Sequence, residues 1–76
     1  MATTTQVTYT AVFVEDADGG YSAWIEEIPG ANSQGDTLEE ARVNLRDALR
    51  LLLEENRVYS DELAASRRVI REPFAL

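Results

Sequence analysis

Leu38, Ala41, Leu45, Ala48, Leu49, Leu52 and Leu53 recur at spacings of three and four. At 100° per residue they share one face of a helix, and a stripe that wide must be covered by a sheet or by other helices. The start of the helix is written just before the stripe. Thr37-Leu38-Glu39-Glu40 is a capping box: the Thr37 hydroxyl accepts from the Glu40 N–H, and the Glu40 carboxylate reaches back to the Thr37 N–H. Acids in that first turn also oppose the positive end of the helix dipole. The helix is predicted from Leu38 to about Asn56. Each fully buried leucine stabilises by roughly 1.5–3 kcal/mol, so the stripe is the main core term. Leu51 and Val43 fall off it and read as exposed apolar residues. Arg42, Arg46, Arg50 and Arg57, with Asp47 and Glu54 nearby, read as a solvated flank.

The cover for the stripe lies upstream. Val7–Glu15 places Val7, Tyr9, Ala11 and Phe13 at period two, which predicts a strand. Asp16-Ala17-Asp18-Gly19-Gly20 is hairpin chemistry, because Gly19 and Gly20 accept positive φ. Tyr21–Glu27 is a second strand, with Tyr21, Ala23 and Ile25 on one face and Ser22, Trp24 and Glu26 on the other. Pro29-Gly30 suits the centre of a type II turn. Ala31–Gly35 is a short third strand, broken by Gly35-Asp36.

Beyond Asn56 the pattern weakens. Residues 60–65 predict a short second helix capped by Ser60, and 68–76 a last strand carrying Val69, Ile70, Phe74 and Leu76. Pro73 cannot donate to a ladder and confines that strand to an edge or bulge. Residues 1–6 are a polar, threonine-rich lead-in that is expected to fray. The fold class is α+β: one domain over 1–76, a single antiparallel or mixed sheet in β-β-β-α-β order, and one main helix packed on one face. A last strand parallel to the first would make the crossover right-handed.

Composition removes most chemistry. The 76 residues contain no histidine and no cysteine. The usual acid–base group, the thiol nucleophile and the common zinc ligands are therefore missing. Ser22, Ser33, Ser60 and Ser66 have no base to activate them. Asp16, Asp18 and Glu27 mimic the spacing of a calcium loop, but Gly20 and Tyr21 fall where that loop needs a ligand and its turn glycine. No catalytic, metal-binding or cofactor-binding residue is assigned, and an enzyme is not expected. Arg67, Arg68 and Arg71 are a weak phosphate-binding signal, equally explained as charge protecting an edge strand.

Charge is sharply divided. Residues 1–41 hold eight acids and no base, for −8, and residues 42–76 hold seven arginines against six acids, for +1. An anionic half repels nucleic acid and attracts a basic partner. Solubility alone is the competing account. No apolar run is long enough for a membrane span and no signal peptide is recognisable, so a cytoplasmic protein is expected. A chain this short without disulfides gains stability most readily from association. A homodimer or larger homo-oligomer is expected, with Val69, Ile70, Phe74 and Leu76 at its interface.

The run from Asp16 to Leu49 resembles the HicB antitoxin family. The resemblance is carried by the acidic hairpin Asp16–Tyr21, the Ile28-Pro29-Gly30 turn and the helix start Gln34–Ala41. It implies a partial ribonuclease H-like domain without that fold's active site. It also implies a partner, a HicA-type toxin: a small, basic mRNA interferase with a catalytic histidine, silenced by occlusion. Many family members add a C-terminal DNA-binding domain, for which Arg57–Leu76 is too short, so operator binding is not expected. On this reading Glu15, Asp16, Asp18, Glu26 and Glu27 meet the toxin's basic face with Trp24 as anchor. Alternatively Trp24 packs in the sheet or a dimer. Gly19, Gly20, Pro29, Gly30, Gly35, Thr37 and Glu40 serve as turns and caps. The rival function is a stand-alone homo-oligomeric regulatory or structural domain with no toxin.

Overall fold

Turns decide where each strand ends. The computed structural model describes residues 8–75 and contains β1 (Ala11–Glu15), β2 (Tyr21–Ile25), β3 (Asn32–Gly35) and α1 (Leu38–Ala64). Between β1 and β2 the Asp16 carbonyl accepts from the Gly19 N–H at 3.0 Å, and the Asp16 N–H donates to the Gly20 carbonyl at 2.7 Å. Gly19 sits at φ 97°, which its missing Cβ makes inexpensive. The hairpin register sets Phe13 opposite Ala23 and Glu15 opposite Tyr21. The next turn is of type II: the Ala31 N–H reaches the Ile28 carbonyl at 3.5 Å, and Gly30 lies at φ 94°. β3 then pairs antiparallel with β2, giving the strand order β1-β2-β3.

The capping box forms with one change. Thr37 Oγ1 accepts from the Glu40 N–H at 3.1 Å, as expected. The Glu40 carboxylate, however, faces the Asp36 N–H at 3.5 Å and not that of Thr37. Helix and third strand are clasped by two polar contacts that periodicity does not reveal. Ser33 Oγ donates to the Ala41 carbonyl (3.1 Å), and Asn44 Nδ2 donates to the Gln34 carbonyl (2.9 Å).

The C-terminal third corrects the sequence expectation. α1 runs unbroken to Ala64, so the end near Asn56 and the separate helix over 60–65 do not occur. Neither glycine nor proline interrupts this stretch, and the Glu54–Arg57 ion pair spans the expected break. Ser60 is a helical residue, not a cap. Just past the helix end, Ser66 turns the backbone sharply with a φ of 63°. Residues 68–75 form no strand, so among the described residues the sheet has three strands, all antiparallel, and no crossover. The cause is geometric. At 1.5 Å per residue the helix is about 40 Å long, against about 17 Å for a five-residue strand, so it carries the chain past the sheet. The tail instead doubles back beside the last helical turns, with Arg71 Nη2 donating to Asp61 Oδ1 at 2.7 Å. The Val7 start of the first strand, the lead-in 1–6 and Leu76 lie outside the described residues.

The core is small. Among the described residues Ala23, Ile25, Ala31, Ala41 and Leu45 are the buried apolar ones, and three of them are alanines. Phe13, Tyr21, Ile28, Leu49 and Leu52 pack around them, half-buried. Of the predicted stripe, Leu38 and Leu53 remain exposed. The Cα radius of gyration is 16.3 Å, whereas a compact chain of this length has about 11 Å.

Candidate protein-binding faces

The helix covers one face of the sheet and, among the described residues, the other is left open. Alternation along the strands puts Ala23 and Ile25 against α1 and turns Ser22 and Trp24 outward. On the open face Val12 lies directly opposite Trp24, and Trp24 directly opposite Asn32. Val14 and Trp24 are exposed there, 43% and 38% respectively. Trp24 is therefore not a core residue of this protomer. Val12, Val14 and Trp24 form an apolar strip on an otherwise polar surface.

The acids expected beside Trp24 do not make one patch. Glu15, Asp16 and Asp18 sit at the hairpin end of the sheet, while Glu26 and Glu27 sit at the opposite end, about 17 Å away along β2. Two of them have structural work. Both Asp16 carboxylate oxygens accept from Ser22 Oγ, at 3.1 and 2.9 Å, which ties the hairpin. Glu27 accepts from the Thr10 N–H at 2.7 Å and from the Thr10 hydroxyl at 2.6 Å, prolonging the β1–β2 pairing beyond Ala11 and Ile25. These bonds from Thr10, the side-chain one foremost, hold the Glu27 carboxyl below its ordinary range by favouring the charged form. Glu15, Asp18 and Glu26 are exposed, with no side-chain bond among the described residues.

Two acids join the hairpin end that strand reasoning did not place there. Asp36 and Glu40, from the β3–α1 junction, line an open depression of about 270 Å³ together with Asp16 and Asp18. The signal for this was Gly35, which brings the junction against the hairpin: a Cβ added at Gly20 would lie 3.2 Å from the Gly35 carbonyl oxygen. Among the described residues no three acids converge closely enough to hold a metal ion.

A second surface lies along β1. Tyr9, Ala11, Phe13, Ile25, Leu45 and Leu49 line a mainly apolar groove of about 190 Å³ between β1 and α1, with Arg42 and Arg46 at its rim. The Arg42 guanidinium stands 5.7 Å from the Phe13 ring centroid, within cation–π range. Val69, Ile70 and Phe74, the expected oligomer residues, are exposed on the tail, Ile70 to 83% and Phe74 to 93%. Among the described residues no helix is long and apolar enough to cross a membrane.

No family model matches the chain, and no solved structure matches it. It is similar to a UPF0150 protein of Synechocystis sp., 50% identical over 46 residues, covering 60% of this chain and 64% of the relative. A second UPF0150 protein of that organism is 44% identical over 46 residues, covering 60% and 58%. A UPF0150 protein of Thermoplasma acidophilum is 31% identical over 55 residues, covering 72% and 80%. The matched part of the chain thus spans less than two thirds of each Synechocystis relative.

Proposed function

This chain belongs to the UPF0150 family, and from that premise we propose that it is a non-catalytic, HicB-like antitoxin module acting in the cytoplasm. It would neutralise a HicA-type mRNA interferase by covering the RNA-binding and catalytic face. The observation that carries the reading is the open sheet face: an apolar strip centred on Trp24, with carboxylates at both ends of the strands. A half-exposed tryptophan inside a charged rim matches the anatomy of a hot spot, and the one-signed rim favours a cationic partner. The HicB-like motifs over Asp16–Leu49 support the same assignment.

Calorimetric titration with a purified HicA-type toxin at low salt tests it. A stoichiometric complex that stops RNA cleavage is expected. Trp24→Ala, or Asp18→Lys with Glu26→Lys, should weaken it by about tenfold or more. These positions are chosen because reversing Asp16 or Glu27 would also disturb the hairpin. No complex, or equal affinity in all variants, refutes the proposal. A homo-oligomeric regulatory or structural role without a toxin is the second reading. It is favoured by the small, alanine-rich core among the described residues and by the exposed apolar side chains from Leu53 to Phe74.

A further inference from the structure

We propose that the groove between β1 and α1 is filled by residues 70–74 of a second copy of this chain, added as a fourth strand in a reciprocal exchange. The inference rests on the homo-oligomer reading, gives it a geometry, and is independent of any toxin.

The acceptor is a strand edge that is unpaired among the described residues, beside an apolar slot. The Thr10 carbonyl accepts from Glu26 and the Asp16 N–H donates to Gly20, so the even-numbered residues of β1 face β2. The N–H and C=O groups of Ala11, Phe13 and Glu15 therefore point to the open side, ready to accept another strand. Next to that edge the groove offers Ala11, Phe13, Leu45 and Leu49 below two arginines, Arg42 and Arg46.

The donor has the matching pattern. In an extended chain Ile70, Glu72 and Phe74 share one face. Ile70 and Phe74 are the most exposed large apolar residues described, and Glu72 between them would meet Arg42 and Arg46. Pro73 falls on the other parity. If the segment runs antiparallel to β1, residues 70, 72 and 74 bond to it with their side chains toward the groove, and the missing N–H of Pro73 faces outward, where no partner is needed.

The protomer's own tail is badly placed for this slot. Arg71 is held at Asp61. Leu49, the groove residue nearest the helix end, lies twelve helical positions earlier, about 18 Å along the axis. Ile70 and Glu72 adjoin Arg71 and so stay near the end of α1 in this protomer. A second copy brought alongside the overhanging half of α1 can supply the segment. Because every copy carries both tail and groove, a two-fold arrangement closes on itself.

The chain has no cysteine, which makes cross-linking unambiguous. Full-length Ala11→Cys and Ile70→Cys chains, mixed and oxidised, should form a disulfide between unlike copies. Sedimentation equilibrium should give twice the 8.5 kDa chain mass. Ile70→Asp with Phe74→Asp, at positions exposed in the protomer and so harmless to its folding, should raise the dimer dissociation constant by about tenfold or more. A species of 8.5 kDa only overturns both the exchange and the homo-oligomer reading. A dimer without the mixed disulfide overturns the exchange alone. So does an intramolecular disulfide in the doubly substituted chain, which would mean that the tail closes on its own groove. A position-11 thiol that is shielded from reagents only when a basic toxin is added overturns it as well.

Discussion

Gly35→Ala tests the helix–sheet junction most severely. A Cβ at Gly35 would lie 2.5 Å from the Ala41 amide nitrogen, 2.9 Å from the Glu40 carbonyl carbon and 3.0 Å from Ala41 Cα. Comfortable contact between such atoms is about 3.5–4 Å, so the first turn of α1 must retreat by roughly 1 Å. These are backbone atoms, and no side-chain rotation relieves the overlap. Retreat also stretches the Ser33–Ala41 and Asn44–Gln34 hydrogen bonds and uncovers Ala41, which is fully buried. Overpacking of about 1–3 kcal/mol plus partial loss of two bonds, each about 0.5–1.5 kcal/mol, gives roughly 2–4 kcal/mol. In a domain of this size each kcal/mol lowers Tm by about 4–8 °C, so the expected drop is at least about 8 °C. Far-UV circular dichroism at one fixed chain concentration measures it, since association would otherwise shift Tm. Gly19→Ala is the control. Nothing lies within 4 Å of its Cβ, and the φ of 97° alone costs about 1–2 kcal/mol. A Gly35→Ala protein melting within about 2 °C of the parent, or above Gly19→Ala, would refute the close-approach argument.

Other perturbations probe separate parts of the fold. Thr37→Ala removes the acceptor for the Glu40 N–H and should cost about 1 kcal/mol, read as a lower urea midpoint at unchanged slope. Leu45→Ala, at the largest buried side chain on the helix, should cost about 2–5 kcal/mol and leave a chain largely unfolded near 37 °C by thermal melt. Glu27 has a folded-state pKa below its ordinary value of 4.5, so its contribution is present above that value and is lost as pH falls through the lower, folded one. Stability curves of the parent and Glu27→Gln should therefore converge as pH drops below about 4.5, and parallel curves would exclude the Thr10 clamp as their cause.

Much of the fold was legible because local rules and burial agree in the first two thirds of the chain. The hairpin at Gly19, the type II turn at Gly30, the alternation in β2 and the Thr37 cap each depend on neighbours a few residues away. Ala41 and Leu45 are buried where the stripe puts them. The candidate faces were less legible. Composition marked the anionic half, but charge counting treats Asp16 and Glu27 like Asp18 and Glu26. Hydrogen bonds to Ser22 and Thr10 separate the first two from the others, and those partners are distant along the chain.

The sequence by itself determined three strands, their turns, a capped amphipathic helix and the absence of any histidine or cysteine chemistry, all consequences of backbone preference and side-chain inventory. The tertiary structure alone decided where the helix outruns the sheet, why Gly35 admits no side chain, and which apolar residues are left uncovered. Such features depend on the distances between elements, and hydrophobic periodicity carries no information about those distances. Ile70 and Phe74 illustrate the difference. Their pattern reads as a strand, yet the length of α1 leaves them without a sheet in their own protomer.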